Sequence, residues 1–169
     1  ASYMAVLWAR GELPPETLAK KVEALLEISD WESQNYDEYH DTSALDTGER
    51  ILKGHFGYQD FEVRYNVTVD NIKEELRNGN VVIVPADGQK LGNPNFTAPG
   101  PERHMLLIRG WEGSLPGGGE FITNDNGTRK GEGYRYKEEV LVNAIRDYPT
   151  GNHVPMEKEV KAMIVVREK

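Results

Sequence analysis

His104 opens one apolar run, HMLLIRG, and Asn124-Asp125 closes the next, FITND. An imidazole beside a carboxylate or amide forms the base and orienter of a nucleophilic triad. The base takes the proton of a Ser, Thr or Cys, and the orienter fixes its tautomer and ring direction. That chemistry requires the two to meet. The link between the runs, WEGSLPGGG, is rich in Gly and Pro, so they read as the strands of an antiparallel hairpin. The start of the first strand then lies against the end of the second, and His104 faces Asn124 or Asp125. Polar hairpin ends are common, and Asn-Asp-Asn-Gly is also a turn sequence, so the pair alone does not establish catalysis. The third member is missing: the 169 residues include no cysteine.

The strings RNGNVVIVPADGQKLGNPNFTAPGPERHMLLIRGW and EFITNDNGTRKGEGYRYKEEVLVNAI, covering Asn78 to Tyr148, resemble the catalytic half of a known family. It is the papain-like cysteine peptidases of the bacteriocin-processing type, peptidase family 39, and particularly their stand-alone bacterial relatives. The resemblance implies an α+β fold of the papain-like (cysteine proteinase) type, with N-terminal helices packed on an antiparallel sheet. It places the catalytic His at His104 and the orienting Asp at Asp125. The family often has Asp-Pro at the third position where this chain has Asp125-Asn126, so Asn124 stays open as the alternative orienter.

In the resembling family the nucleophile starts a helix, often as Cys-Glu-Glu-Ala-Ser, where the helix N-terminus favours the thiolate. Ala1-Ser2 matches the last two residues of that string. ASYMAVLWARG reads as the later turns of such a helix, with Tyr3, Met4, Leu7 and Trp8 on one face and Gly11 at the C-terminal cap position. The expectation is a single peptidase-like domain over 1–169, N-terminally incomplete, whose Cys and oxyanion-hole Gln lie upstream of Ala1. Ser2 is no substitute, because a nucleophile served by its own α-amine must occupy the first position.

Three activities fit this reading. The first is a thiol-dependent peptide-bond hydrolase, inactive as this Cys-less chain. The second is a catalytically inactive relative that binds peptides, and the third is a cysteine amidase or transferase on the same scaffold. The partner expected is a peptide or protein substrate, with no cofactor and no metal. Asp37, Glu38, His40 and Asp41, with His55 nearby, lack a ligand-spacing frame and read as solvated acidic surface.

Composition narrows the classes further. A net charge of −8 argues against nucleic acid and anionic membrane as partners. No apolar run approaches the roughly 18 residues of a membrane span, so no membrane contact is expected from this segment. The absence of cysteine fixes no compartment: a bacterial setting, with or without export, is compatible, and oligomeric state is left open.

The remaining elements must position the pair. Leu18, Val22, Leu25 and Leu26 recur at helical spacing after Pro14-Pro15, and that helix should end near Ser29-Asp30. Residues 31–48 are polar and aperiodic, read as a surface insertion or short helical turns, and Glu49–Lys53 as helix up to Gly54. Phe61, Val63 and Tyr65 alternate as a strand; Thr68 caps a helix carrying Val69, Ile72 and Leu76, stopped at Asn78-Gly79. Val81–Val84 is a buried central strand. The long loop from Asp87 to Arg103 reads as functional surface. Lys137–Asp147 is helical, Ala162–Val166 is a last strand, and Tyr134-Arg135-Tyr136 either lines a peptide cleft or covers a strand edge. If the peptidase reading holds, His104 and Asp125 come within hydrogen-bond reach and Ala1 lies within roughly 10 Å of the imidazole. Tyr3, Met4, Leu7 and Trp8 then pack on the sheet.

Overall fold

The computed structural model describes residues 1–113 and 118–168, so residues 114–117 of the expected hairpin link lie outside the described residues. The chain forms an α+β fold on a six-stranded sheet ordered β1-β6-β2-β3-β4-β5. Its strands are β1 (Phe61–Tyr65), β2 (Val81–Ala86), β3 (His104–Glu112), β4 (Glu120–Asn124), β5 (Glu132–Lys137) and β6 (Ala162–Val166). Every pairing is antiparallel. The centre of the sheet follows from composition. β2 (VVIVPA) and β6 (AMIVV) are apolar at nearly every position and buried along their whole length, as strands covered on both faces must be. Each Val or Ile buried there contributes about 1.5–3 kcal/mol before entropy is counted.

Alternate residues of the strands feed two separate cores. On one face Val82, Val84, Leu106, Ile108 and Phe121 pack with Ile72 of α4 (Val69–Arg77) and with Leu141 and Ala144 of α6 (Glu138–Ala144). On the other face Val81, Ile83, Leu107 and Ile164 pack with Ala5, Val6 and Ala9 of α1 (Ser2–Ala9). Leu52 joins them from a π-helix over Thr47–His55, which covers the stretch expected to be helical up to Gly54. Helices therefore cover both faces of the sheet, with the N-terminal α1 on one and α4 and α6 on the other. The α4 stretch is as the sequence predicts: Thr68 accepts from the Asn71 backbone N–H, the Asn71 side chain accepts from the Thr68 backbone N–H, and Gly79 takes the left-handed conformation past the helix end.

Two helices differ from expectation. α2 (Leu18–Tyr36) runs past Ser29-Asp30 into the stretch read as aperiodic, and its helically spaced Leu18, Val22, Leu25 and Leu26 are exposed. It is anchored by its second half, where Trp31 lies so close over Gly54 that a Cβ there would meet Trp31 Cη2 at 2.4 Å. On α1 the buried residues are Ser2, Ala5, Val6 and Ala9, while Tyr3, Met4, Leu7 and Trp8 are half-buried. Small side chains let a helix backbone approach a sheet more closely than bulky ones. Of the bulky residues, Met4 and Trp8 still pack against this core, as expected, and all four wall a cleft.

Candidate active site

β3 begins at His104, opposite Ala86 of β2, and points its side chain to the face that holds Leu106 and Ile108. β4 ends at Asn124 opposite Leu107, and Asp125 follows in the inward phase of Phe121 and Thr123. The next loop turns back tightly: the Asp125 N–H donates to the Gly131 carbonyl at 2.9 Å, and a Cβ at Gly131 would sit 1.7 Å from the Asp125 carbonyl oxygen. Only glycine fits there.

This placement puts His104 Nε2 2.7 Å from Asp125 Oδ1, with His104 7% and Asp125 3% exposed. The Gly127 N–H donates to the same oxygen at 2.9 Å, and the Tyr136 hydroxyl donates to Asp125 Oδ2 at 2.5 Å. Burial pushes the Asp125 carboxyl up, but the bonds from His104, Tyr136 and Gly127 outweigh it and hold the group below its ordinary value. An ionised Asp125 draws the imidazole proton onto Nε2. The lone pair is then on Nδ1, which has no hydrogen bond among the described residues. Phe96 stands edge-on to the imidazole at 5.3 Å, and a Cβ at Gly127 would come within 2.9 Å of His104 Cε1. The ring is held in one orientation. An imidazole held in this way can act as a general base through Nδ1.

Ala1 lies at the same site. It shares with Asp125 a cleft of about 620 Å³ walled by Tyr3, Met4, Leu7 and Trp8 of α1 and Leu25 of α2. The Ala1 nitrogen lies within electrostatic reach of the Asp125 carboxylate. Asn124 points elsewhere: its Oδ1 accepts from Arg109 Nε at 3.1 Å and from the Gly133 N–H at 3.2 Å. The residue oriented toward the imidazole is Asp125.

Sequence reasoning missed Tyr136 and Asn93. Tyr136 lies on the edge strand β5, but its side chain is buried beneath the pair, and Asn93 Nδ2 donates to its hydroxyl at 2.7 Å. The inward phase of Tyr136 along β5 was the available signal; for Asn93 there was none beyond its place in a loop expected to be functional. That loop, Asp87 to Arg103, also supplies Phe96 and carries a short helix α5 (Gly88–Leu91). The acidic residues of 37–41 are engaged separately: Glu38 with His40 at 2.7 Å and Asp41 with Arg103 at 2.9 Å. His55 lies against the rings of Trp31 and Phe56. Among the described residues no group of three or more His, Cys, Asp or Glu is placed to hold a metal ion, and no helix is long and apolar enough to cross a membrane.

No family model, no curated protein and no solved structure matches the chain.

Proposed function

We propose that this chain carries the His–Asp part of a thiol-dependent peptide-bond hydrolase on a papain-like fold, with the nucleophilic Cys presented from a segment preceding Ala1. The observation that carries the reading is the buried His104–Asp125 pair at 2.7 Å, ionised at Asp125, whose carboxylate residue lines the same cleft as Ala1. His104 Nδ1 takes the thiol proton, the thiolate attacks a peptide carbonyl carbon, and the imidazolium returns the proton to the departing amine. Water then adds to the thioester by the same base, releasing the acid and restoring the thiol. Asp125 remains ionised throughout and stabilises the imidazolium. A helix that leads from the nucleophile into Ser2–Ala9 is held against the sheet by Ala5, Val6 and Ala9, so its first turn cannot drift from the pair.

The test is labelling of the intact gene product by a peptide carrying a thiol-reactive electrophile, with the adduct mapped by mass spectrometry. The expected adduct is on a Cys on the N-terminal side of Ala1 and is lost in His104→Ala. An adduct formed equally well without His104 would remove the hydrolase reading and leave a peptide-binding cleft.

A further inference from the structure

The hydrogen bonds beneath Asp125 have a direction. The Asn95 backbone N–H, a group that can only donate, points at Asn93 Oδ1 at 3.0 Å, and Asn95 Nδ2 adds a second bond to the same oxygen at 3.1 Å. The Asn93 amide is thereby fixed with its NH₂ toward the Tyr136 oxygen, 2.7 Å away. Because that oxygen receives a proton from Asn93, its own proton is turned to Asp125 Oδ2 at 2.5 Å. Asn93, Tyr136 and Asp125 are all buried, so no water competes for these groups.

We propose that Tyr136, oriented by Asn93, is a positioning residue of the His104–Asp125 pair: a one-way chain of hydrogen bonds from Asn95 to Asp125 makes the carboxylate an acceptor on both oxygens, confining the shared proton to His104 Nε2 and the lone pair to Nδ1. The chain cannot run backwards, since reversal would ask a backbone N–H to accept. It therefore locks the protonation pattern and carries no proton away. Neither Tyr136 nor Asn93 bonds the imidazole; both act through Asp125. Burial, then the bond to Asp125, pushes the Tyr136 phenol well above its ordinary value, so it stays a neutral donor at any working pH. The same lock ties the Asn93–Phe96 loop to the base from two sides, since Phe96 of that loop packs on the His104 ring.

The use of this lock in catalysis rests on the role proposed for His104, but Asp125 titrates whether or not any peptide is cut, so the two readings fail separately. The experiment is an NMR titration of the Asp125 carboxyl carbon in the wild-type chain, Tyr136→Phe and Asn93→Ala. Tyr136→Phe keeps the ring and removes the donor. Its Asp125 midpoint should rise by about one to two pH units, the roughly 10- to 100-fold change carried by a hydrogen bond to a charged group. Asn93→Ala frees the hydroxyl to turn, and its midpoint should rise by less, in the same direction. A purely packing role for Tyr136 would lower the unfolding midpoint and leave the Asp125 titration in place, and that result overturns the proposal. Should Tyr136→Phe fail to fold, an unmoved Asp125 in a folded Asn93→Ala chain overturns it equally.

Discussion

The β3–β4 hairpin has a carboxylate clamp at each end, and the two differ in the donors that fill them. At the end near Gly119, Glu138 Oε1 accepts from Lys73 Nζ, Trp111 Nε1 and the Gly119 N–H, each at 2.7 Å. Lys73 also sits over the Trp111 ring at 4.4 Å. At the other end Asp125 accepts from His104, Tyr136 and Gly127. In both clamps burial pushes the carboxyl up and three donors outweigh it, leaving the group below its ordinary value. The clamps differ in what stands behind the donors. Lys73, Trp111 and Gly119 have no basic lone pair to offer, so that clamp can only hold the hairpin. His104 has a second nitrogen, and its partner Asp125 lines a cleft. A well-satisfied carboxylate is ordinary structural chemistry; one donor with a second ring nitrogen is what the proposed orienting role of Asp125 requires.

Substitutions at the two clamps should separate these roles. The largest effect is expected from Asp125→Asn in the Cys-bearing protein, where loss of the charge that fixes the His104 tautomer lowers kcat/KM by about 10³–10⁴-fold, the scale known for orienting carboxylates. A change under tenfold would mean that Asp125 is a clamp like Glu138. Next, Glu138→Ala leaves a poorly solvated ammonium and two N–H groups unpaired, so chemical denaturation should show a loss of roughly 2–3 kcal/mol with the Asp125 titration unmoved.

The smallest effect is expected at a third buried carboxyl that lacks a full set of donors. Glu32 of α2 is buried, and its Oε1 has no hydrogen-bond partner among the described residues. Burial pushes it up to about 7, with Arg50 drawing it back and Asp46 and Glu38 adding to the rise. Here the folded state binds the proton more tightly than the unfolded chain. The associated stability is complete below the ordinary value of 4.5 and is lost as pH rises through about 7. Glu32→Gln should flatten that decline, leaving the variant more stable than wild type by about 1–2 kcal/mol above neutrality. Asp125 has the opposite sign, its contribution being present above the ordinary carboxylate range and lost as pH falls through its lowered midpoint.

The sequence carried some of this and withheld the rest for physical reasons. Continuous apolar strands such as Val81–Val84 were legible because burial on both faces leaves no polar phase. His104 and Asp125 were legible because hairpin pairing is local and places strand ends together. The orientation of α1 was not. Its apolar residues occupy more than one face, and the sheet accepted the small side, Ala5 and Ala9, which allows the closer approach. The length of α2 was hidden because its second half is polar and is held by Trp31 at a position that periodicity does not mark. Tyr136 and Asn93 were hidden because their bond spans 43 residues of sequence, and no local pattern records a contact between a loop amide and an inward strand phenol.

The central claim is that His104 is poised to deprotonate a thiol delivered at the start of α1. It is tested most directly by placing the Cys-Glu-Glu tripeptide of the resembling family ahead of Ala1 and measuring the thiol alkylation rate against pH, with and without His104→Ala. The account predicts a thiolate at neutral pH, with a midpoint well below the roughly 8.5 of a free thiol and restored to that value in His104→Ala. A thiol that titrates near 8.5 in both proteins, in a chain whose fold is unchanged, would contradict it.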